Sequence, residues 1–309
     1  MMRSNGRAES QGPTPESSSC RTIFHTYQSF FWWNERNEME LKGKCALVTG
    51  GARGLGKAIA LSLAAEGVHV AVADIGAKPK NAPDYQLSGE TQLEAAAREV
   101  AAGGVRSLAI RADITDYSQV QDMLAQTLDG LGGLHILVNN AGIIIAAPVL
   151  AMDESQWDAV LNVNLKGTFL CCKAVASHMI DQRLGRIINI SSIAGKRGHG
   201  GVAAYGASKA GVISLTQSLA EELGPFNVTV NAVCPGYLKT SMWTDCLSPA
   251  AATVLGVDLE HAFEEFVKRQ TVLGRPQTPE DIGQGVVFLC KADNITGIAL
   301  NIAGGAEVI

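Results

Sequence analysis

Residues 49–56 read Thr49-Gly50-Gly51-Ala52-Arg53-Gly54-Leu55-Gly56 and join a short apolar run to an amphipathic stretch. Glycines let backbone N–H groups approach a phosphate closely, and the N-terminus of a following helix presents the positive end of its dipole. A glycine-rich turn alone is weak evidence, because any tight turn from strand to helix uses glycine. This turn follows the first predicted strand and opens a helix, as a dinucleotide site requires. We therefore expect a dinucleotide to contact Gly50, Arg53, Gly54, Leu55 and Gly56.

Apolar runs alternate with helical patterns along the rest of the chain. The runs cover residues 45–49, 68–73, 105–110, 134–138, 186–190, 227–231 and 298–302. They are continuously apolar, which is typical of strands buried on both faces. Amphipathic stretches lie between them, at 56–66, 118–128, 157–180, 203–223 and 279–290. This alternation predicts a single doubly wound α/β domain with a mostly parallel, seven-stranded sheet and helices on both faces.

Composition excludes several classes of protein. The chain has 309 residues, of which 47% are hydrophobic and 18% charged, so it can bury a large core. A net charge of -5 offers no basic field for nucleic acid or an anionic membrane surface. No apolar run reaches the roughly 18 residues of a membrane span. The seven cysteines and six histidines are scattered without metal-ligand spacing, so we expect no metal site, reduced thiols and a cytoplasmic location.

The N-terminal segment differs from the rest of the chain. Residues 4–19 are rich in Ser, Gly, Pro and Glu, a composition that cannot bury enough apolar surface to fold. We expect residues 1–38 to be a disordered extension and residues 39–309 to form the domain. Two alternatives stay open: Met39 is the true start, or the aromatic patch at 30–33 docks on a partner.

The cofactor preference depends on charges near the second strand. Asp74 ends that strand, 24 residues after Gly50. A carboxylate there can accept hydrogen bonds from the adenosine ribose hydroxyls, and it repels a 2′-phosphate. Arg53, Lys78 and Lys80 favour the opposite preference, because a cation can pair with that phosphate. The short Asp74 side chain is held more firmly than loop lysines, so NAD is predicted and NADP is the alternative.

Polar and small residues follow the third and fourth predicted strands. Asp113 can accept from an adenine amino group, because Asp116 is the better helix cap. After strand four, Asn139 and Asn140 can tie strand ends together or contact the cofactor; we prefer Asn140 for the contact. The predicted cofactor contacts in this region are Ile75, Asp113, Ile114, Asn140, Ala141 and Gly142.

Four polar residues form a candidate catalytic set. Tyr205 and Lys209 are four residues apart, which places them on one face of a helix. A nearby ammonium group favours the phenolate form of a tyrosine. Ser192 lies 13 residues before Tyr205, at the end of a strand, where its hydroxyl could donate to a substrate oxygen. Asn164 interrupts an otherwise apolar helix and needs a carbonyl or a water as its partner.

In this order and spacing, the motifs resemble those of the short-chain dehydrogenase/reductase family. They are T-G-x-x-x-G-x-G at residues 49–56, N-N-A-G at 139–142, V-N-L-x-G at 163–167, Y-x-x-x-K at 205–209 and P-G-x-x-x-T at 235–240. The resemblance runs from Lys42 to about Gly305. It implies a Rossmann-type fold and hydride transfer between a nicotinamide cofactor and a secondary alcohol or ketone.

The resemblance also implies a role for each residue. Tyr205 is the general acid/base, Lys209 lowers its pKa and holds the nicotinamide ribose, and Ser192 polarises the substrate oxygen. Asn164 anchors a water that links Lys209 to solvent. Further cofactor contacts fall on Pro235, Gly236, Leu238 and Thr240. Family members are usually dimers or tetramers through helices corresponding to 157–180 and 203–223, so we expect a homo-oligomer, with Cys171 and Cys172 on a close-packing surface.

The sequence departs from the family's usual pattern at three places that bear on the cofactor or the substrate. The stretch from Asp74 to Asp113 is long, Ala303 replaces the usual aspartate near the C-terminus, and residues 241–272 form a long lid. The lid favours an NAD-linked alcohol, diol or polyol dehydrogenase. The alternatives are an NADPH-dependent 3-oxoacyl or other ketone reductase and, from another class, a non-catalytic nucleotide-sensing protein, against which the intact catalytic set argues.

Overall fold

The computed structural model describes residues 39–76, 90–244 and 246–307. The predicted N-terminal extension at 1–38, and Lys78 and Lys80 in the long stretch after Asp74, lie outside the described residues. The described residues all belong to one compact unit.

The described residues form the predicted seven-stranded parallel sheet. Its strands are β1 (Cys45–Thr49), β2 (His69–Asp74), β3 (Ser107–Arg111), β4 (Ile136–Asn139), β5 (Gly185–Ile190), β6 (Val228–Pro235) and β7 (Ala299–Ile302). They lie in the order β3-β2-β1-β4-β5-β6-β7, and all six neighbouring pairs are parallel. The doubly wound α/β fold is thus confirmed.

The strand order reverses between β1 and β4, which are neighbours in the sheet. Connections from the carboxyl ends of these two strands leave in opposite directions and open a crevice above the sheet. The glycine-rich turn after β1 and the segment that begins at Asn140 after β4 therefore meet at this crevice.

Each of the five predicted stretches coincides with a helix, one of them in an interrupted form, and the structure adds helices that were not predicted. They are α1 (Gly54–Ala65), α2 (Glu90–Ala101), α3 (Tyr117–Leu131), α4 (Glu154–Leu161), α5 (Thr168–Gln182), α6 (Ala203–Leu223), α7 (Ser241–Thr244), α8 (Ser248–Leu255), α9 (Ala262–Gln270) and α10 (Pro279–Lys291). The stretch predicted as one helix at 157–180 is interrupted by a π-helical turn at Asn162–Gly167. No helix of the described residues is long and apolar enough to span a bilayer.

Two hydrophobic layers hold the sheet, one on each face. One layer includes Ile59 of α1 and Val286 of α10, and the other includes Met123 of α3 and Val175 of α5. The inner strands are buried on both faces, as predicted. The edge strands differ: β3 exposes Ala109, and β7 is only partly buried along its length, because an edge strand has a neighbour on one side only.

Cys171 and Cys172 do not lie on an outer packing surface. Both are almost fully buried in the chain's own core, against the sheet. That part of the oligomer prediction is therefore wrong, because the face of α5 that carries these thiols is the one that covers the sheet. The outer side of the same helix carries Phe169, which is exposed. The homo-oligomer itself stays a prediction.

Candidate active site

A cleft of about 890 Å³ opens above the carboxyl ends of the strands. Every residue predicted to contact the cofactor lines it. They are Gly50, Arg53, Gly54, Leu55, Gly56, Asp74, Ile75, Asp113, Ile114, Asn140, Ala141, Gly142, Tyr205, Lys209, Pro235, Gly236, Leu238 and Thr240. The structure thus brings together residues that the sequence spreads over 191 positions.

The glycine-rich turn is held tightly against the end of β4. Gly50 has φ +63°, and a Cβ at Gly56 would lie 2.1 Å from the Gly50 carbonyl oxygen. The Asn140 side-chain amide donates to the carbonyl oxygens of Thr49 (3.1 Å) and Gly50 (2.9 Å). Asn140 therefore shapes the turn as well as lining the cleft, and its contact with a cofactor stays a prediction.

The N-terminus of α1 suits an anionic group. The residue before it, Arg53, makes no side-chain cap, and the first turn of the helix carries no acidic residue. A Cβ at Gly54 would meet no atom within 4 Å, so the turn is open on its cleft side. The first N–H groups of a helix have no partner within it, and a phosphate group satisfies such donors well. These residues fit the pyrophosphate of a dinucleotide.

Asp74 is fixed at the edge of the same turn. Its carboxylate accepts from the backbone N–H of Ala52 (3.1 Å) and from that of Ile75 (2.9 Å). The two bonds tie the end of β2 to the turn after β1 and give the carboxylate a defined position. Arg53 also lines the cleft, so one of the cations that favour NADP lies in the same cleft as Asp74.

Asp113 and Asp116, which follow β3, have different hydrogen-bond partners. Asp116 caps α3 by accepting from the backbone N–H of Ser118 at 2.9 Å, so its assignment as the helix cap is confirmed. One carboxylate oxygen of Asp113 accepts from the backbone N–H and the hydroxyl of Thr115, at 2.8 and 2.7 Å. Those bonds orient Asp113 beside the cleft; its contact with adenine stays a prediction.

Tyr205 and Lys209 lie in the first two turns of α6, on the face that lines the cleft. The Lys209 Nζ atom is 5.7 Å from the centre of the Tyr205 ring and donates to the Ile190 carbonyl oxygen at 2.8 Å. Burial lowers the pKa of Lys209 to about 8, because an ammonium group loses its hydration there.

The pKa of Tyr205 departs from the expectation. Burial raises it above the ordinary value, and a hydrogen bond with the Ser192 side chain opposes that rise only in part. The pKa is thus raised where a lowering was expected, because burial dominates, and the phenol keeps its proton. The effect of Lys209 on this pKa stays a prediction.

Ser192 is nearly buried at the end of β5, next to Tyr205. Its hydroxyl accepts from the backbone N–H of Ala194 at 3.1 Å, which starts a short turn after the strand. This contact fixes the hydroxyl, which lies near enough to the phenol to lower the pKa of Tyr205. The two hydroxyl groups that could contact one substrate oxygen thus lie together.

Asn164 lies in the π-helical turn, fully buried. Its side chain pairs with the backbone of Ile143, accepting from the N–H at 2.8 Å and donating to the carbonyl oxygen at 2.9 Å. The second amide N–H donates to the Ser208 hydroxyl at 3.0 Å. Both side-chain donors are thus taken by protein, and Asn164 locks the segment after β4 onto α6. Its predicted role as a water anchor stays a prediction.

Asn139 has the structural role that we weighed for it. Its side-chain N–H group donates to the Asn189 Oδ1 atom at 2.8 Å, and Asn189 donates in turn to the Thr216 hydroxyl at 2.9 Å. This buried chain ties β4 to β5 and β5 to α6. It supports the floor of the cleft without lining it.

Four aromatic rings hold the first part of the lid. Trp243 packs against Tyr237, Phe263 and Phe266, with ring centres 4.8 to 5.7 Å apart. Trp243 is 6% exposed and also lines the cleft, so it serves as lid core and borders the site. We call these four residues the aromatic cluster.

Sequence reasoning missed one wall of the cleft. Ser155, Asp158, Ala159 and Asn162, in or next to α4, line it. No local motif marks them, because only the packing of α4 on α6 brings them there. Ala303 packs against Gly236, where a Cβ would lie 2.8 Å from the Ala303 Cα atom. The described residues hold no cluster of three or more metal-ligating side chains.

Comparisons with known proteins agree with this arrangement. Residues 44–250 match the short chain dehydrogenase family. The chain is 41% identical over 264 residues to a 3-oxoacyl-(acyl-carrier-protein) reductase of Staphylococcus aureus, covering 85% of this chain and 97% of the relative.

Two solved structures share the fold. The chain resembles carveol dehydrogenase from Mycobacterium avium in complex with NAD, with 27% identity, a TM-score of 0.81, and 86% and 98% of the two chains covered. It also resembles NAD-bound xylitol dehydrogenase, with 32% identity, a TM-score of 0.77, and 86% and 100% covered. The chain belongs to the short-chain dehydrogenase/reductase family and is an oxidoreductase that acts on CH–OH or keto groups.

Proposed function

We propose that the chain is an NAD-linked oxidoreductase that interconverts a secondary alcohol and its ketone. One observation carries this proposal: the cleft holds the Tyr205 phenol and Lys209 at one end and the fixed Asp74 carboxylate at the other. The first pair provides the chemistry, and Asp74 provides the cofactor preference.

The chain's own residues handle the proton. A bound nicotinamide supplies a hydride to the carbonyl carbon or takes one from the carbinol carbon. Tyr205 donates its proton to the carbonyl oxygen during reduction and accepts one during oxidation. Because burial raises the pKa of the phenol, Tyr205 carries the proton at neutral pH and acts first as an acid. Ser192 donates to the same oxygen as negative charge develops on it.

The preference for NAD follows from the position of Asp74. Its carboxylate is tied to the turn by two backbone N–H groups, so it cannot swing away from a 2′-phosphate without breaking them. At about 4 Å and an effective dielectric of 20, each pair of unit charges repels by about 4 kcal/mol before screening. The NAD-bound states of the two similar structures support this preference.

An NADPH-dependent 3-oxoacyl reductase is the second candidate. The 41% identity to the Staphylococcus aureus reductase favours it over the diol or polyol substrate that the lid length suggested. Arg53 lines the cleft and offers a cation for a 2′-phosphate. The reacting group of a 3-oxoacyl substrate is still a ketone, so Tyr205, Ser192 and Lys209 keep the same roles.

Turnover with small ketones tests the proposal. We expect the purified chain to oxidise NADH in the presence of an uncharged 3-oxo ester or a cyclic ketone, followed by the loss of NADH absorbance. Absence of turnover with either cofactor, in either direction, across ketones, 3-oxoacyl thioesters and secondary alcohols would contradict it.

A further inference from the structure

Two segments bound the end of the cleft where the substrate enters. One is the segment after β4, residues 143–163, and the other is residues 237–270, which include most of the lid. Both contribute side chains to the cleft beside Tyr205. We call this end the substrate half.

Apolar side chains dominate the inner surface of the substrate half. Ile143 and Ile144 line it from the first segment, and Met242, Trp243 and Leu247 line it from the second. Ile143, Ile144 and Trp243 are each less than 10% exposed, so their positions are fixed by packing. A substrate that replaces water here gains most by presenting an apolar body.

The first segment is acidic. It contains Asp153, Glu154 and Asp158 and no lysine or arginine. All three acids are exposed, and Asp158 lines the cleft. This wall therefore presents only negative charge to an approaching substrate.

The second segment is acidic as well. Between residues 237 and 270 the sequence has five acidic residues against three lysines and arginines. Its one basic residue that lines the cleft, Lys239, is paired with Glu264 at 2.6 Å. Arg269 has Glu265 within 3.9 Å. Two of the three cations of this segment thus have an acidic partner.

The other basic side chains that line the cleft lie away from the substrate half or already have a hydrogen-bond partner. Of the described residues that line it, only Arg53, Lys209 and Lys239 are basic. Arg53 lies in the turn of the cofactor half, and Lys209 donates to Ile190 on the cleft floor. No basic group in the described lining is left to pair with a phosphate on the substrate.

From these observations we propose that the substrate is an uncharged, largely apolar ketone or alcohol, and that the acidic walls discriminate against thioesters whose carriers bear phosphate groups. The inference rests on the proposed function and names its substrate class. It also separates the two candidates, because acyl-carrier and coenzyme A thioesters both bring phosphate to the cleft entrance. Like charges at an interface slow association and weaken binding.

A matched pair of substrates tests this inference. The 3-oxobutanoyl thioesters of N-acetylcysteamine and of coenzyme A share the reacting group, but only the second carries phosphates. With saturating cofactor and low salt, we expect kcat/KM to be about tenfold higher for the uncharged thioester. Because salt screens repulsion, the ratio should fall as ionic strength rises to about 0.3 M.

A charge reversal sharpens the test. Asp158→Lys should lower the ratio severalfold, whereas Glu94→Lys, on the exposed face of α2 and outside the cleft, should leave it unchanged. The inference would be overturned if kcat/KM were higher for the coenzyme A thioester and fell with salt. Equal kcat/KM values for the two thioesters would overturn it as well. Those results would leave the oxidoreductase itself intact. If neither thioester nor any uncharged ketone reacted with NADH or NADPH, the proposed function would fail, and this inference with it.

Discussion

The two halves of the cleft are built in different ways. The cofactor half consists of strand ends and the glycine-rich turn, joined by hydrogen bonds in which the backbone takes part, such as those of Asn140 with Gly50 and of Asp74 with Ala52. The substrate half depends on apolar packing, chiefly the aromatic cluster, and on exposed ion pairs such as Lys239–Glu264. Hydrogen bonds to a rigid backbone tolerate little change, whereas packed side chains can be exchanged for others of similar volume.

This difference indicates which half of the cleft tolerates substitutions and which does not. Substitutions in the cofactor half and at the catalytic pair should abolish binding or chemistry. Substitutions at the surface of the lid should change little, and substitutions within the substrate half should change the substrate. The following variants test that division.

The largest effect is expected at Tyr205. Tyr205→Phe removes the hydroxyl that moves the proton and keeps the ring. We expect kcat to fall about 100- to 10,000-fold, while the affinity for NADH, measured by fluorescence titration, changes little. If the variant kept more than about 10% of the wild-type rate, Tyr205 would not be the general acid/base.

Substitution of a glycine in the glycine-rich turn should have the next largest effect, on both stability and NADH affinity. In Gly56→Ala the new Cβ would lie 2.1 Å from the Gly50 carbonyl oxygen, so the turn must open. We expect a loss of about 1–3 kcal/mol in stability and at least about tenfold in NADH affinity. The matched control is Gly224→Ala, whose Cβ meets nothing within 4 Å and whose φ is -51°. That control should be neutral or slightly stabilising. Equal melting temperatures for the two variants would contradict the proposed crowding.

The buried, protonated Lys209 should destabilise the folded state, although the residue is needed for catalysis. Its pKa falls from 10.5 to about 8 on folding, so the unfolded chain holds this proton more tightly. The penalty is fully present below pH 8 and disappears as the pH rises through about 10.5. It amounts to about 3 kcal/mol; the hydrogen bond to Ile190 offsets about 1 kcal/mol of it.

Lys209→Met should therefore raise the free energy of unfolding by about 2 kcal/mol at pH 7 and abolish turnover. Denaturant unfolding at pH 7 and at pH 10 measures this, and the gain should be lost at the higher pH. A variant that is less stable than wild type at pH 7 would show that the buried ammonium group is compensated.

The smallest effect is expected at the lid surface. Glu264→Gln breaks the pair with Lys239, whose side chains are 52% and 55% exposed. Such pairs contribute about 0.2–1 kcal/mol, so the melting temperature should shift by no more than about 2 °C. The affinity for NADH should stay the same. A tenfold loss of turnover with an uncharged ketone would show that this pair, rather than the aromatic cluster, holds the lid.

The same division explains what the sequence could predict. The turn at 49–56 and the pair at 205 and 209 are local patterns, so their positions in the fold followed from strand and helix periodicity. β6 runs past the predicted end at 231 to Pro235, because residues 232–235 all pair with β7, and the first two of them pair with β5 as well. A short apolar window does not reveal a partner 67 residues away.

For a similar reason, the sequence could not predict the π-helical turn at Asn162–Gly167. It depends on the bonds of Asn164 with Ile143, 21 residues earlier. The pKa of Tyr205 likewise depends on how deeply its side chain is buried. The four-residue spacing between Tyr205 and Lys209 gives no information on that burial. The wall formed by Ser155 and Asp158 is a product of tertiary packing alone.

We propose that Asp74 sets the cofactor preference, and the first experiment is therefore to compare kcat/KM with NADH and with NADPH. With one uncharged ketone, kcat/KM of the wild type should be at least about tenfold higher with NADH. Asp74→Ser should reduce that ratio by about tenfold or more, chiefly through better use of NADPH. A wild-type enzyme that prefers NADPH, or a ratio that the substitution leaves unchanged, would show that Asp74 does not set the preference.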